Sequence, residues 1–402
     1  MKTTIRPAAT GQRMSPPSDV APSALSLDVA QAIPPSGSEM SVLVANPQQQ
    51  SLAVATSAVP AIPPGGGLLA LEGAGLCGSD VEKILSGRAQ EHTVLGHEVV
   101  GRLVALAPDA PALPFEIGQR LVVAHHIPCG RCHYCFNQNQ SMCRQFKASN
   151  FQPGGFSQWI ALSAEHLQYT AFPIPDEIPN TLAVHVEPLA CVLRGIRRGG
   201  TTAPDSVAVV GLGYIGLLAA QCYQRQGTWV LGLDVQPERC ALAQTHGWVQ
   251  ASHHPADPSL ASTLKDHTAT GGVDVVYLTV INPASLATAL SCVRDGGTIV
   301  QMAGPLPDPL PDAPEEKMSA VAATAPCGVD LATLYYREIT WIPSYSPALT
   351  DLQTAARLIF QQHLLLTPLI THGVPWSQAD QAVALYRSGQ AIKVYLDLRR
   401  PS

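Results

Sequence analysis

Charge is scarce in this chain. Asp, Glu, Lys and Arg make up only 13% of its 402 residues, and the net balance is −6. That shortage of cations argues against a phosphate-tracking nucleic-acid surface and against a polybasic membrane patch. The N-terminus also lacks the apolar core of a secretory signal. Long apolar runs are nearly missing as well. Ser206 to Gln224 carries no formal charge and is long enough to span a bilayer, but its glycines and polar residues fit a strand, turn and helix better. With 46% hydrophobic residues, the expectation is a soluble, cytoplasmic globular protein of two or three domains.

Ten cysteines are present, and they do not read as a secreted disulfide framework. Four of them, Cys129, Cys132, Cys135 and Cys143, crowd into one short lobe. Four thiolates can close a tetrahedral zinc site with no position left for substrate, so this cluster is expected to be structural. His133 lies within the lobe and is expected to be exposed. Cys191, Cys222, Cys240, Cys292 and Cys327 stand in apolar context, as reduced buried thiols do.

Residues 1–39 are rich in Pro, Ser and Ala without periodicity, the composition of a disordered extension. From Met40 onward, short apolar runs separated by Gly and Pro predict a β-rich domain over 40–190. The texture then changes to alternating strand and helix signals over 191–336, which predict βαβ units and a doubly wound parallel sheet. Residues 304–328 are Pro- and Ala-rich, an excursion. The segment 337–402 returns to the first texture, so the parallel-sheet domain reads as an insertion into a split catalytic domain.

Within the inserted domain, Gly211-Leu-Gly213-Tyr214-Ile215-Gly216 follows a Val-rich strand and opens a helix. This is a dinucleotide fingerprint, with a tight turn at Gly211, backbone approach to a pyrophosphate at Gly213, and close packing at Gly216. Asp234 ends the next strand, where its carboxylate can accept ribose hydroxyls and repel a 2′-phosphate. NAD is therefore expected over NADP, although Arg239 is a nearby cation. A further stretch, Cys77-Gly-Ser79-Asp80 through Gly96-His97-Glu98, gathers a thiol, an imidazole and carboxylates of the kind zinc takes.

These motifs, together with Glu187-Pro-Leu and in this order, resemble the zinc-containing medium-chain dehydrogenase/reductases of the alcohol dehydrogenase superfamily. The likeness is greatest to their sorbitol and threonine dehydrogenase branch. It implies a GroES-like catalytic domain around a Rossmann domain, and two zinc ions per chain, one catalytic and one structural. Cys77 and His97 match catalytic zinc ligands. Glu98 matches a carboxylate that ligates or shadows the metal, and Glu187 a third or water-linked position. Asp80 matches the carboxylate that orients the histidine, and Ser79 the hydroxyl that starts proton release. Glu82 stands where relatives carry a relay histidine.

The implied activity is hydride transfer between NAD and a secondary alcohol or polyol, in a homodimer or homotetramer. Oxidation of a threonine-like amino alcohol is an alternative. So is a catalytically silent scaffold, which the intact ligand set disfavours. Cys191 is expected as a helix contact, His125 and His126 as bystanders, Tyr335, Tyr336 and Tyr345 as cleft or subunit-contact candidates, and Lys393 as a solvated charge.

Overall fold

The computed structural model describes residues 34–200, 204–304 and 329–399. Most of the expected N-terminal extension and nearly all of the 304–328 excursion lie outside the described residues.

Two sheets organise these residues. The strand Ser206–Val210 (Ser-Val-Ala-Val-Val) is buried along its whole length, as expected of a parallel strand covered on both faces. It sits inside a six-stranded sheet ordered Ala251–His253, Trp229–Leu233, Ser206–Val210, Val273–Leu278, Val293–Gln301, Thr340–Pro343. Every pairing in it is parallel. In chain order this is 3-2-1-4-5-6, the doubly wound dinucleotide topology, with its switch point beside the C-terminal end of Ser206–Val210.

The second sheet runs Ile370–Pro375, Lys393–Asp397, Gly67–Leu76, Glu98–Leu106, Arg120–Ala124, Ala171–Pro173, with Trp159–Leu162 also pairing with Gly67–Leu76. Strands from both ends of the chain therefore share one sheet, as the split-domain reading requires. A hairpin, Glu39–Asn46 with Ser51–Ala58, forms a separate two-stranded sheet bridged to this domain through Val42–Ser157 and Val44–Val94.

One expected boundary moves. The strand Thr340–Pro343 pairs in parallel with Val293–Gln301, so the inserted sheet continues past 336 and the return begins after Pro343. Its four residues carry too little pattern to be separated from the return segment by sequence. The domains are also less separate than the texture suggests. A single buried cluster joins Val207 and Val209 of one sheet to Val100, Val122 and Tyr395 of the other, through Val186, Leu189 and Leu352 on intervening helices. No helix among the described residues is long and apolar enough to cross a membrane.

Candidate active site and metal centres

Gly67–Leu76 ends at Cys77, whose extended backbone (φ −91°, ψ 150°) starts the helix Gly78–Leu85. The Asp80 carboxylate closes the helix start by accepting the Cys77 backbone N–H at 3.2 Å. Its other oxygen lies 3.3 Å from His97 Nδ1 and accepts the Gly96 N–H at 3.4 Å. One buried carboxylate thus fixes both motifs and orients the imidazole, the support that a metal-ligating histidine needs. Burial opposes the imidazolium, yet Asp80 and the Cys77 thiol raise the His97 pKa well above its ordinary value. Ser79 Oγ lies 3.3 Å from Cys77 Sγ. Ligand atoms of Cys77, His97 and Glu98 all fall within 4.8 Å of one another.

Glu98 brings a correction. Lys393, expected to be solvated, is buried and ion-paired with Glu98 Oε2. Sheet register explains the meeting. Glu98 lies opposite Gly75, whose other neighbouring strand is Lys393–Asp397. A side chain on Gly75 would collide with the Glu98 carboxylate and the Lys393 stem, so this glycine makes room for the pair. The Lys393 ammonium also lies 4.4 Å above the Tyr214 ring, and the Tyr214 hydroxyl is bonded to His185 Nδ1. Burial first, then Lys393, pushes the His185 pKa down to about 3 and keeps it neutral. The Tyr214 side chain therefore sits between Lys393 and His185, beside the Cys77, His97 and Glu98 cluster. Glu98 Oε1 is buried without a hydrogen-bond partner among the described residues, an orphan that a cation would satisfy.

Glu187 stands one step back from this trio. Its carboxylate accepts the Cys191 thiol at 3.5 Å, and burial raises its pKa against the pull of His97. Cys191 is half-buried beside it, so this thiol belongs to the periphery of the site and is more than a helix contact. His125, expected to be a bystander, is also in the neighbourhood. Its ring lies 5.0 Å from that of His97, and its Nδ1 is buried without a hydrogen-bond partner among the described residues. Burial, then His97 and His126, lower its pKa well below the ordinary value. Glu82, matched to a relay position, is instead held by Arg88. Tyr335, Tyr336 and Tyr345 are all largely exposed.

The cysteine lobe is built differently. Cys132 Sγ and Cys135 Sγ lie 3.5 Å apart, and Cys129 Sγ and Cys135 Sγ 3.9 Å apart. Four thiolates at about 2.3 Å from a tetrahedral zinc stand about 3.8 Å apart, so this spacing fits. All four thiols lie within 4.8 Å of one another, and no disulfide links them. Burial works against the Cys143 thiolate, but backbone N–H groups from Cys129 and Phe146 bring its pKa down to about 6. Burial and the Cys132 thiol push Cys135 up to about 12. His133 is exposed, as expected.

The cofactor turn leaves the sheet at the topological switch point. Gly211 has φ +93°, a conformation that L side chains rarely adopt, and Gly216 packs where a Cβ would strike the Gly211 carbonyl. A Cβ on Gly213 would meet only Arg239 Nη1, at 3.8 Å, which leaves that face open to a pyrophosphate. Asp234 accepts the Leu212 N–H at 2.7 Å and the Gln236 N–H at 2.8 Å, so it also holds the turn in shape. Arg239 Nη1 lies 3.6 Å from Asp234, and Nη2 donates to the Gly389 carbonyl at 3.2 Å.

Fold and site together define a dinucleotide-fold enzyme working beside a Cys/His/Glu centre. Residues 63–176 match the model of the alcohol dehydrogenase GroES-like domain, and residues 215–361 that of the zinc-binding dehydrogenase. The chain is 29% identical over 254 residues to sorbitol dehydrogenase of Bacillus subtilis (strain 168), covering 61% of this chain and 69% of that protein. It is 29% identical over 331 residues to L-threonine 3-dehydrogenase of Proteus mirabilis (strain HI4320), covering 80% and 89%. Its fold matches the crystal structure of L-idonate 5-dehydrogenase from Escherichia coli K-12 with TM-score 0.72 at 22% identity, over 89% of this chain and 98% of that one. The chain belongs to the zinc-containing medium-chain dehydrogenases of the alcohol dehydrogenase superfamily, oxidoreductases that act on CH–OH groups.

Proposed function

We propose that this chain is a zinc-dependent dehydrogenase that moves a hydride between NAD and a secondary alcohol or polyol. The observation carrying this reading is the convergence of Cys77, His97 and Glu98 against the helix that the glycine fingerprint opens, through Lys393 and Tyr214. When bound, zinc supplies Lewis-acid polarisation of a hydroxyl and NAD supplies the hydride acceptor.

The chain's own residues do the rest. Asp80 holds the His97 ring in place. Ser79 Oγ takes the substrate's hydroxyl proton from its place beside Cys77. Arg88 holds the Glu82 carboxylate, so onward proton transfer from Ser79 runs through water. Lys393 balances the Glu98 charge, and Glu187 stands as a reserve or water-linked ligand. Asp234 accepts the ribose hydroxyls and disfavours a 2′-phosphate, with Arg239 drawn toward Asp234 and Gly389. The four-thiol lobe takes the second zinc and pins a segment that has no core of its own.

The nine described cysteines are all free, which supports a reducing compartment such as the cytoplasm. A homo-oligomer is supported by the edge strand Thr340–Pro343 and by Tyr335 and Tyr336 beside it, 76% and 82% exposed. The substrate class is a polyol, in keeping with the sorbitol dehydrogenase relative.

The test is cofactor reduction with polyols, simple secondary alcohols and L-threonine, each with NAD and NADP, alongside the metal content. Reduction of NAD by a polyol with two zincs per chain is expected. Turnover of L-threonine alone would move the substrate class, and no turnover by a fully metallated protein would support a silent scaffold.

A further inference from the structure

Tyr386 belongs to no motif in the chain. It lies near the end of the helix Asp380–Arg387, and its ring packs on the core of the catalytic domain. Its hydroxyl reaches the catalytic turn, occupying the space that a side chain on Gly78 would fill. That hydroxyl makes no hydrogen bond to another described residue, and it is not one of the sealed polar atoms of the interior.

The charges nearest Tyr386 place it between two halves of the cleft. Burial pushes its pKa up to about 12, Cys77 and then Glu98 and Asp80 add to the rise, and Arg239 opposes it. Three of these belong to the Cys77–Glu98 motifs, while Arg239 lies on the helix Pro237–Thr245, next to Asp234 of the glycine turn. Three residues further on, Gly389 accepts the Arg239 guanidinium, and a Cβ on Gly389 would come within 2.6 Å of the Gln236 amide. The segment bearing Tyr386 is therefore docked on the far edge of the dinucleotide turn. Arg239 Nε is buried with no hydrogen-bond partner among the described residues. The Arg239 guanidinium, whose Nη1 lies beside the open face of Gly213, and the Tyr386 phenol, which lies over Gly78 next to Cys77, thus mark the two ends of the span between the glycine turn and the Cys77 centre. A dinucleotide running from that turn to the catalytic centre has to cross this span.

We infer that Tyr386 is a cofactor-binding residue whose hydroxyl donates a hydrogen bond to the dinucleotide's pyrophosphate from the catalytic-domain side of the cleft. This rests on the dehydrogenase reading. Gly78 is part of the device, because only a residue without a side chain lets the phenol lie over the catalytic turn. The cofactor is then gripped by both domains, and its nicotinamide end is registered against the Cys77 centre.

The experiment is direct titration of the metallated protein with NADH, NADPH, ADP-ribose and AMP, followed by fluorescence or calorimetry. Tyr386→Phe should weaken NADH and ADP-ribose about tenfold and leave AMP unchanged, since AMP has no pyrophosphate. KM for NAD should rise with kcat nearly unchanged, the mark of lost uniform binding, and zinc content and Tm should hold. Gly78→Ala, which displaces the phenol, should weaken ADP-ribose in the same way and serves as the second variant. Unchanged ADP-ribose affinity in Tyr386→Phe, against a wild type that binds it, overturns the assignment alone. A wild type that binds neither NADH nor NADPH overturns the dehydrogenase reading with it.

Discussion

The two clusters able to hold a metal obey opposite rules. The lobe draws all its donors from fifteen consecutive residues, Cys129 to Cys143, and offers four thiols and nothing else. The Cys77 centre draws its donors from the turn after one strand, the start of another and, at one remove, a helix ninety residues further on. The lobe is closed upon itself. The Cys77 centre is held from outside, by Asp80 on His97 and by Lys393 on Glu98. A cluster whose ligands satisfy one another can only stabilise, whereas one propped by neighbours keeps a donor and a coordination position free for chemistry.

The hardest test of that contrast is to remove the shared thiol of the open centre. Cys77→Ala should lower kcat by about a thousandfold or more, since a metal-activated step loses its cation, while Tm stays close to wild type. Zinc should fall from two per chain to one. Retained turnover would remove Cys77 from the catalytic centre.

Lys393 probes the outside support. Lys393→Met leaves the Glu98 carboxylate buried without its counter-charge, a loss of about 3–5 kcal/mol for such pairs. Denaturant melts of the zinc-free protein should show it. With zinc present the loss should shrink, because the freed carboxylate can turn to the metal, and kcat should drop about tenfold as the open position is taken. Equal destabilisation with and without zinc would mean that Glu98 never serves the metal.

The same contrast governs what the sequence discloses. The lobe and the glycine fingerprint are contiguous, so spacing alone makes their chemistry legible, and the Val-rich strand Ser206–Val210 and the helix Tyr214–Gln224 form on either side of the glycine turn as expected. Asp80 and Glu187 are legible only through a resemblance. Lys393 is not legible at all. Its role depends on a three-strand register over Gly75 that unites the two ends of the chain, and no local pattern encodes that pairing. His125 and Tyr386 fail for the same reason, since each matters through neighbours far away in sequence. The strand Thr340–Pro343 is too short to carry its own period, and it is placed by its partner rather than by its residues.

For the closed lobe the expectation is reversed. Cys135→Ser should cost one zinc and about 3 kcal/mol of stability, with Tm falling by about 3–4 °C for a chain of this length. The remaining folded fraction should turn over at nearly the wild-type rate per catalytic zinc. A selective loss of kcat at unchanged Tm would show that the lobe is part of the chemistry and would erase the distinction between the two centres.

The smallest effect is expected at the cofactor turn, which mixes the two designs: a contiguous glycine motif held by one distant carboxylate. Asp234, proposed to accept the ribose hydroxyls, also accepts the Leu212 N–H inside the turn. Asp234→Ala should therefore lower kcat/KM with NAD and also narrow the preference over NADP, by about tenfold or 1.4 kcal/mol. Arg239, freed from its 3.6 Å contact with Asp234, becomes available to a 2′-phosphate. Asp234→Asn partly separates the two duties, because the amide oxygen can still accept the Leu212 N–H while the Gln236 N–H loses its acceptor and the negative charge is gone. If Asn keeps NAD efficiency but loses the preference, charge sets cofactor choice and geometry sets affinity. If both variants keep the wild-type ratio, Asp234 is only a brace for the turn, and the choice of NAD lies elsewhere in the cleft.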